Sequence, residues 1–403
     1  MVSDYFNTTG QLLVGLDGIE ITDVVHQGGE IHIYIVMKRC KQKCPYCGEL
    51  SNRVHDYRQQ PVHDIPCFGE VTILQLKKRR YTCEKCGKHF AEDIPFLSKY
   101  LTMTSRLSFY ILAQLSKFRT ISDVSKETGV SERTVARIFD HVIFLRKELP
   151  EVMGIDEFKG NAGGERFQCI VTDIKTHTVF DILPKRNLED LIAYFSSFPS
   201  RSNVKVIVMD MSSLFKSLAH STFPHAHVVA DRFHYMRLVN FAFEKVRIRE
   251  QQLFELQRRR YFKRSKRILM KRRETLNPDQ ALQVKNMLIL SDPLRRAYAI
   301  KQEFFKFIDC KDRNTAAKQL GIWMMFAANY DIQEFMDLAV TFSNWRVEIL
   351  NSFSYPYSNG FTEGYNNKIK VIKRIGFGAP NFERFRRRIL HSITNNKTHF
   401  PKH

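Results

Sequence analysis

Val204-Lys205-Val206-Ile207-Val208-Met209-Asp210 decides the fold. Its run from Val204 to Met209 is almost continuously apolar, as a strand covered on both faces requires, and a carboxylate closes it. Open α/β sheets form their sites at the carboxyl ends of such strands, so Asp210 is expected at a site. Upstream, Val152 to Phe158 reads as a first strand and carries Asp156 in the apolar stretch Val152-Met153-Gly154-Ile155-Asp156. Arg166–Asp173 and Thr178–Leu183 read as a hairpin, and Leu188 to Phe198 as an amphipathic helix. Downstream, His227-Val228-Val229-Ala230-Asp231 is another short strand leading into Arg232-Phe233-His234.

After Glu244 the sheet pattern stops. Residues 244–345 read as helical, with a break at Asn277-Pro278-Asp279. A further helix follows in Ser358-Asn359-Gly360-Phe361-Thr362-Glu363-Gly364-Tyr365-Asn366-Asn367-Lys368. Its apolar positions Phe361, Tyr365, Ile369 and Ile372 predict one buried face. Glu363, Asn367 and Lys370 then share a polar face. Two strand-borne aspartates and a helix-borne glutamate can hold a pair of Mg²⁺ (or Mn²⁺) ions, which prefer hard oxygen ligands. Glu157 is excluded because adjacent strand residues point to opposite faces. Asp173 and Asp181 are expected at turns or on the surface. Asp231 is the serious competitor.

The chain has 63 Lys plus Arg against 42 Asp plus Glu, a formal net charge of +21 in 403 residues. Such an excess favours a polyanion. It is clustered: 13 basic against 4 acidic residues from Glu244 to Glu274, and 8 against one from Lys368 to Arg388. The first cluster holds Arg258, Arg259 and Arg260, expected to track DNA. No stretch approaches the ~20 apolar residues of a membrane span. Residues 1–6 show no basic and apolar leader pattern, so a cytoplasmic, nucleoid-associated protein is expected. Trp323 and Trp345 are expected to pack in the core rather than stack on bases.

Six of the eight cysteines fall between Cys40 and Cys86, a crowding that points to metal rather than disulfides. Cys44-Pro45-Tyr46-Cys47-Gly48 and Cys83-Glu84-Lys85-Cys86-Gly87 each put two thiolates on a tight turn, and four thiolates satisfy a structural, tetrahedral Zn²⁺. Cys40, Cys67, His55, His63 and His89 are rival ligands. Glu70 to Lys77 alternates as a strand between the two turns, and Lys77-Lys78-Arg79-Arg80 offers a phosphate grip. Thr120 to Phe139 has the grammar of a helix-turn-helix. Ser122 caps the first helix, Gly129 makes the turn, Ser131 caps the second, and Val124, Val130, Val135 and Ile138 form a small core. The second helix would present Glu132, Arg133, Thr134 and Arg137 to a major groove.

Gly154-Ile155-Asp156-Glu157, Met209-Asp210-Met211-Ser212, Ala230-Asp231-Arg232-Phe233-His234 and Glu363-Gly364-Tyr365-Asn366-Asn367-Lys368-Ile369-Lys370 resemble the blocks of bacterial insertion-sequence transposases of the ISL-three group. The paired CxxC units and the helix-turn-helix also sit where that group has them. The resemblance implies an RNase H-like mixed α/β core, interrupted by an all-α insertion and preceded by a zinc-ribbon-like module and a helix-turn-helix. Expected boundaries are 1–98, 99–149, 150–243, 244–345 and 346–403. It also implies a DDE triad of Asp156, Asp210 and Glu363 that cleaves DNA with two Mg²⁺ ions and joins the freed 3′ ends to target DNA. Asp231, His234, Asn367 and Lys370 are expected to position metal or DNA, and Lys368, Lys373 and Arg374 to clamp DNA near the scissile phosphate. Double-stranded DNA is the expected partner, and joining two ends needs at least two protomers. A DNA-binding regulator with an inactive core and a nuclease without strand transfer are the alternatives.

Overall fold

The computed structural model describes residues 10–98, 101–144, 148–264, 266–376 and 381–394; residues 1–6, read above for a leader, lie outside them. These residues form two compact units. One gathers the described residues up to 144 with 372–376 and 383–394, and the other 148–371 with 381–382.

The first unit opens with strands β1 (Ile19–Gln27), β2 (Glu30–Met37), β3 (Gln42–Lys43), β4 (Leu50–Ser51), β5 (Val54–Cys67), β6 (Glu70–Thr82) and β7 (His89–Ala91). The main sheet runs β1-β2-β6-β5, with β7 added to β6. The alternation read in residues 70–77 is the inner half of the long strand β6. Its hairpin with β5 spans the gap between the CxxC turns. Every second residue of these strands enters a core of Ile19, Ile21, Ile33, Ile35, Val62, Leu74 and Leu76. The basic run at its end is only partly free. Arg79 is buried, donates to Met37 O (2.7 Å) and pairs with Glu92 (3.2 Å), and Arg80 pairs with Asp56 (3.1 Å). Arg79 is therefore committed to the fold and not to phosphates, while Arg80 is half-exposed beside Asp56.

Three helices follow: α1 (Ser105–Ser116), α2 (Ile121–Thr128) and α3 (Glu132–Asp140). Thr120, not Ser122, caps α2. Its side chain accepts from Asp123 N (2.9 Å), and the Asp123 carboxylate takes Thr120 N (3.2 Å). An acid three residues after a Thr closes a capping box, which Ser122 cannot form. Gly129 holds φ +68, and Ser131 caps α3. Val124, Val130, Val135 and Phe139 are buried between the helices, with Ile138 half-buried beside them.

The second unit is built on β8 (Val152–Phe158), β9 (Gln168–Asp173), β10 (Thr178–Leu183), β11 (Val206–Met209) and β12 (His227–Ala230), in the order β10-β9-β8-β11-β12. β8, β9 and β10 form an antiparallel meander, and β11 and β12 continue from β8 in parallel. This is the RNase H-like mixed sheet. Helices α4 (Leu188–Ser196) and α5 (Ser213–Thr222) lie in the two crossovers. They cover the face made by Met153, Ile155, Cys169, Val171, Ile207 and Met209. The opposite face carries Val152, Val206, Val208 and Val229, packed by Tyr355 and Tyr357. Strand parity thus assigns even-numbered residues of β8 and β11, and Val229 of β12, to the second face.

An all-α stretch separates β12 from the Glu363 helix: α6 (Arg232–Gln252), α7 (Leu256–Arg264), α8 (Lys266–Met270), α9 (Pro278–Leu290), α10 (Asp292–Ile308), α11 (Arg313–Asn329), α12 (Gln333–Asn344) and α13 (Arg346–Asn351). The expected break is the cap of α9, with Asn277 accepting from Gln280 N (2.8 Å) and Pro278 at the first helical position. Trp323 is fully buried and donates to Ile300 O (3.2 Å); Trp345 is buried against the same core. Neither is a base-stacking residue. Arg258, Arg259, Arg260, Lys263 and Arg264 are exposed on α7, anchored by the buried Phe262. Among the described residues no ion pair involves these five. Lys266 and Arg272, in contrast, pair with Glu244 and Asp309. Among the described residues no helix is long and apolar enough to cross a membrane.

Helices α14 (Gly360–Ile375) and α15 (Phe382–Thr394) end the chain's described part. The sequence groups 346–403 together. The structure puts α15 with the helix-turn-helix: Arg384 pairs with Asp140 (2.5 Å), Arg388 donates to Arg119 O, and the His391 ring meets Leu112 O (2.7 Å). Phe385, Ile389 and Leu390, one apolar stripe, drive that packing.

Candidate functional site

Register brings three carboxylates together. Ile155 on β8 stands opposite Met209 on β11, and Met209 opposite Ala230 on β12. Asp156, Asp210 and Asp231 therefore follow at neighbouring positions across three strands, on the face away from α4 and α5. Glu157 points the other way and pairs with Arg186, as alternation requires. Asp173 accepts from Lys175 N (2.9 Å) and Thr176 N (3.2 Å), a turn role. Asp181 is neither turn nor surface: it is buried and accepts from Tyr194 Oη (2.7 Å), the partner that sequence could not supply.

The Glu363 helix lies on this face. Asn359, whose carbonyl accepts from Glu363 N (3.1 Å), donates its side-chain amide to Ile155 O (3.4 Å). Thr362 bonds Thr172 of β9 (2.9 Å), and Asn366 Nδ2 donates to Asp156 Oδ2 (2.8 Å). Gly154 makes the approach possible. A Cβ there would overlap the Thr172 hydroxyl, come within 2.7 Å of Ile174 Cδ1 and meet Asn359 Oδ1 at 3.0 Å. Glu363 is exposed beside Asn366, and its charge acts on both Asp156 and Asp231.

The helix is rotated from the sequence expectation. Its buried stripe is Thr362, Asn366, Ile369 and Ile372, not Phe361, Tyr365, Ile369 and Ile372. Phe361 and Tyr365 are half-buried against each other (ring centroids 4.5 Å), and Phe361 stacks on His177 (5.0 Å). Asn366 was missed because a buried asparagine looks like a surface residue until its partner is known. Its i+3 position from Glu363 was the available signal. Asn367 and Lys370 are exposed and bond each other (3.0 Å), on the polar face expected for them. Lys368 lies over the Tyr365 ring (4.7 Å), and Lys373 and Arg374 follow on the same helix.

Electrostatics mark the cluster. Burial, then the charges of Asp210, Glu157 and Glu363, push the Asp156 carboxyl up to about 7 against the pull of the Glu157 amide. Burial also raises Asp210, opposed by His234, the Ser212 amide and Arg237. It raises Asp231, opposed by His234 and by the backbone amides of Asn359 and Phe233. His234 Nε2 stands 3.9 Å from Asp231 Oδ2. Asp210 Oδ1 is buried with no hydrogen-bond partner, a costly arrangement for a carboxylate. A cation with oxygen preference fits this donor set. It would relieve the mutual repulsion and give the orphaned oxygen a partner. Among the described residues only the cysteine quartet has all its ligand atoms within 4.8 Å, so the acids do not close around a single ion. One pH dependence follows. Below about 7 a proton competes for Asp156, so apparent Mg²⁺ affinity should rise about tenfold per pH unit up to about 7 and flatten above it. Titration of Mg²⁺ binding by calorimetry between pH 5.5 and 8.5 checks this. A flat profile would remove Asp156 as a ligand.

Replacing Asn366 by Ala should lower cleavage about 10- to 100-fold, the usual effect of losing a group that orients a metal ligand, and raise the Mg²⁺ requirement. Asn366→Ser should recover part of the rate. A cleavage rate within twofold of the unmodified chain at limiting Mg²⁺ would show that the Asn366–Asp156 bond has no role.

The zinc site is closed. Cys44 Sγ lies 3.7 Å from Cys86 Sγ and Cys47 Sγ 3.5 Å from Cys83 Sγ. A tetrahedral site with Zn–S of about 2.3 Å has edges of about 3.8 Å. Both turns are alike. Gly48 N bonds Cys44 O and Gly87 N bonds Cys83 O (2.9 Å each), with φ of +78 and +69 at the glycines. Cys40, Cys67 and the histidines stay outside. His55 and His89 face each other, with ring centroids at 4.1 Å. On α3, Arg133 and Arg137 are exposed and Thr134 half-exposed, as DNA reading requires.

Comparison with known proteins agrees along the chain. A family model described as a transposase, of the ISL3 type, matches residues 153–389. The zinc-finger of transposase IS204/IS1001/IS1096/IS1165 matches 41–86, and the helix-turn-helix domain of transposase family ISL3 matches 92–143. The transposase for insertion sequence element IS1001 of Bordetella parapertussis is 26% identical over 368 residues, covering 89% of this chain and 90% of that protein. Shorter likenesses are to an ATP-dependent protease of Lactococcus lactis subsp. lactis, 31% identical over 107 residues (27% of this chain, 33% of that protein), and to the transcriptional repressor NrdR of Geobacter sulfurreducens, 29% over 138 residues (33% and 79%).

Proposed function

Because this chain belongs to the ISL3 family of transposases, we propose that it binds the two ends of an insertion sequence, cleaves them in a Mg²⁺-dependent step and joins the 3′-hydroxyl ends to target DNA. The observation that supports this reading is the row of carboxylates Asp156, Asp210 and Asp231, the first and last buried and Asp210 half-buried, with Glu363 on the helix that Asn366 and Asn359 tie to β8. Asp156, Asp210 and Glu363 would hold two ions, with Asp231 as a further oxygen donor beside them. Bound there, the ions would activate water toward the phosphodiester and stabilise the departing 3′ oxygen.

The chain's own residues do the rest. Asp231 and His234 fix the charge and position of Asp210 and of the start of α14. Asn366 holds Oδ2 of Asp156 while the Glu157 amide holds Oδ1 (2.8 Å each), so the carboxylate is fixed in one orientation. Arg133, Thr134 and Arg137 read the end sequence, and Arg258, Arg259, Arg260, Lys368, Lys373 and Arg374 contact phosphates. Zinc fixes the fold of the N-terminal module. Two ends require at least two protomers in the active complex. The test is incubation of the purified chain with a plasmid carrying both ends. Cleavage at the ends with Mg²⁺ but not Ca²⁺, and strand-transfer products on a second plasmid, are expected. Cleavage without joined products would leave a nuclease, and specific binding without cleavage a regulator.

A further inference from the structure

Helix α6 begins at the acid cluster and carries an exposed stripe. Phe233, Arg237, Phe241, Lys245 and Ile248 are all exposed at spacings of four, four, four and three residues. Phe233 is 52% and Phe241 55% exposed. The guanidinium of Arg237 stands between them, 5.9 Å from each ring centroid. The stripe is joined to the site at one end. Asp231 precedes the helix, His234 meets Phe233 edge to face (5.8 Å), and the charge of Arg237 acts on Asp210. Its acids are turned away. Glu244 pairs with Arg247 (2.7 Å) and Lys266 (2.8 Å), and Glu250 accepts from Ser291 (2.9 Å). Neither Arg237 nor Lys245 forms an ion pair among the described residues.

We propose that this stripe is a stacking ladder for single-stranded DNA, holding the bases of a strand opened next to the scissile phosphate. The inference rests on the cleavage reading for its location, not for its chemistry. Two exposed phenylalanines alternating with two cations, of which Arg237 meets His234 (3.3 Å) and neither pairs with an acid among the described residues, match what an unpaired strand offers: flat base faces and a phosphate at every step. A closed duplex hides its base faces, so rings exposed beside cations favour an opened strand over a paired one. Eight residues of helix separate Phe233 from Phe241 by about 12 Å, with the Arg237 side chain between them, so each ring would take its own base while the backbone follows the cations.

The test compares a forked DNA, with 2-aminopurine in its single-stranded arm, against a blunt duplex of the same end sequence. The zinc-loaded full chain is used with no other divalent ion. The fork should bind more tightly than the duplex, and the 2-aminopurine emission should be quenched. Phe233→Ala and Phe241→Ala should each weaken fork binding about tenfold, abolish the quench and leave duplex binding within about twofold. Phe233→Trp should keep the preference, and Phe68→Ala, at an exposed ring remote in sequence, should change nothing. Equal binding of fork and duplex, or alanine variants that keep both preference and quench, would overturn the proposal. So would variants that lower the light-scattering mass of the chain while fork binding is unchanged, since the stripe would then be a contact between copies. Because no Mg²⁺ is present, a chain that shows the fork preference yet never cleaves sinks only the carboxylate reading.

Discussion

Asp156→Asn will abolish Mg²⁺-dependent end cleavage, by about 10³-fold or more, while making the metal-free core more stable. The loss follows from removing a ligand whose ions supply several kcal/mol at the transition state, each ~1.4 kcal/mol being a factor of ten. The gain follows from the same burial. The Asp156 carboxyl is raised from 3.8 to about 7, so above its unfolded pKa the folded core holds a proton that the unfolded chain releases, and above about 7 it carries a charge it disfavours. That penalty grows as pH rises to about 7 and is full above it. At about 1.4 kcal/mol per unit the ceiling is about 4 kcal/mol. Asn cannot ionise and keeps an oxygen for the Asn366 amide, while its NH2 faces the Glu157 N–H and offsets part of that gain. At pH 8 the variant should therefore melt later than the unmodified chain without Mg²⁺, while at pH 4 the two should coincide. End binding, which we assign to the helix-turn-helix in the other unit, should survive. A variant that cleaves at more than a tenth of the normal rate would take Asp156 out of the site. A dead variant that also melts earlier would mean the residue serves structure first.

Strand parity is why this much of the site could be read before any coordinates. The period of two is rigid, so Val152-Met153-Gly154-Ile155-Asp156 fixed both which face Asp156 takes and why Glu157 cannot join it. Asp210 and Asp231 inherit the same face from the apolar runs before them. Paired CxxC-Gly turns are equally local, and both formed as read. The helical residues were harder. A helix can rotate by a fraction of a turn without changing its periodicity, and only its partner fixes the rotation. The Gly154 gap and the Thr172 hydroxyl favour Thr362 and Asn366 over the larger Phe361 and Tyr365, which no pattern within 358–375 reveals. The α6 stripe escaped for a similar reason. Phe233 and Phe241 look like core residues in sequence, and only the packing of Tyr235, Val239, Phe243 and Val246 on the other side shows them to be outside. Arg79 failed the opposite way, since basic residues in a run point to a phosphate while the buried Glu92 is already its partner.

Removing zinc should cost more than any single substitution on the DNA-facing surface. The sulfurs of Cys44, Cys47, Cys83 and Cys86 lie within 4.8 Å of one another, and thiolates that close cannot stay ionised without a cation between them. Binding of structural Zn²⁺ to such sites carries about 10–16 kcal/mol, more than a typical domain's whole stability of about 5–15 kcal/mol. Besides the ion, the two knuckles are tied by short strands and a small cluster of Tyr81, Phe90 and Val54. β3 and β4 pair over two residues each, and β7 adds three to the end of β6. The long β5–β6 hairpin has its own core of Val62, Leu74 and Leu76, so loss should be graded along it. A strong chelator, or Cys44→Ser, should therefore open residues 40–52 and 83–91 to protease and hydrogen exchange while the far half of the hairpin stays protected. Specific end binding should fall by at least about tenfold if the module contacts DNA beside the helix-turn-helix. Exchange protection around Cys44 and Cys83 that is unchanged in the zinc-free chain would show that the module folds without its ion and would refute the structural assignment.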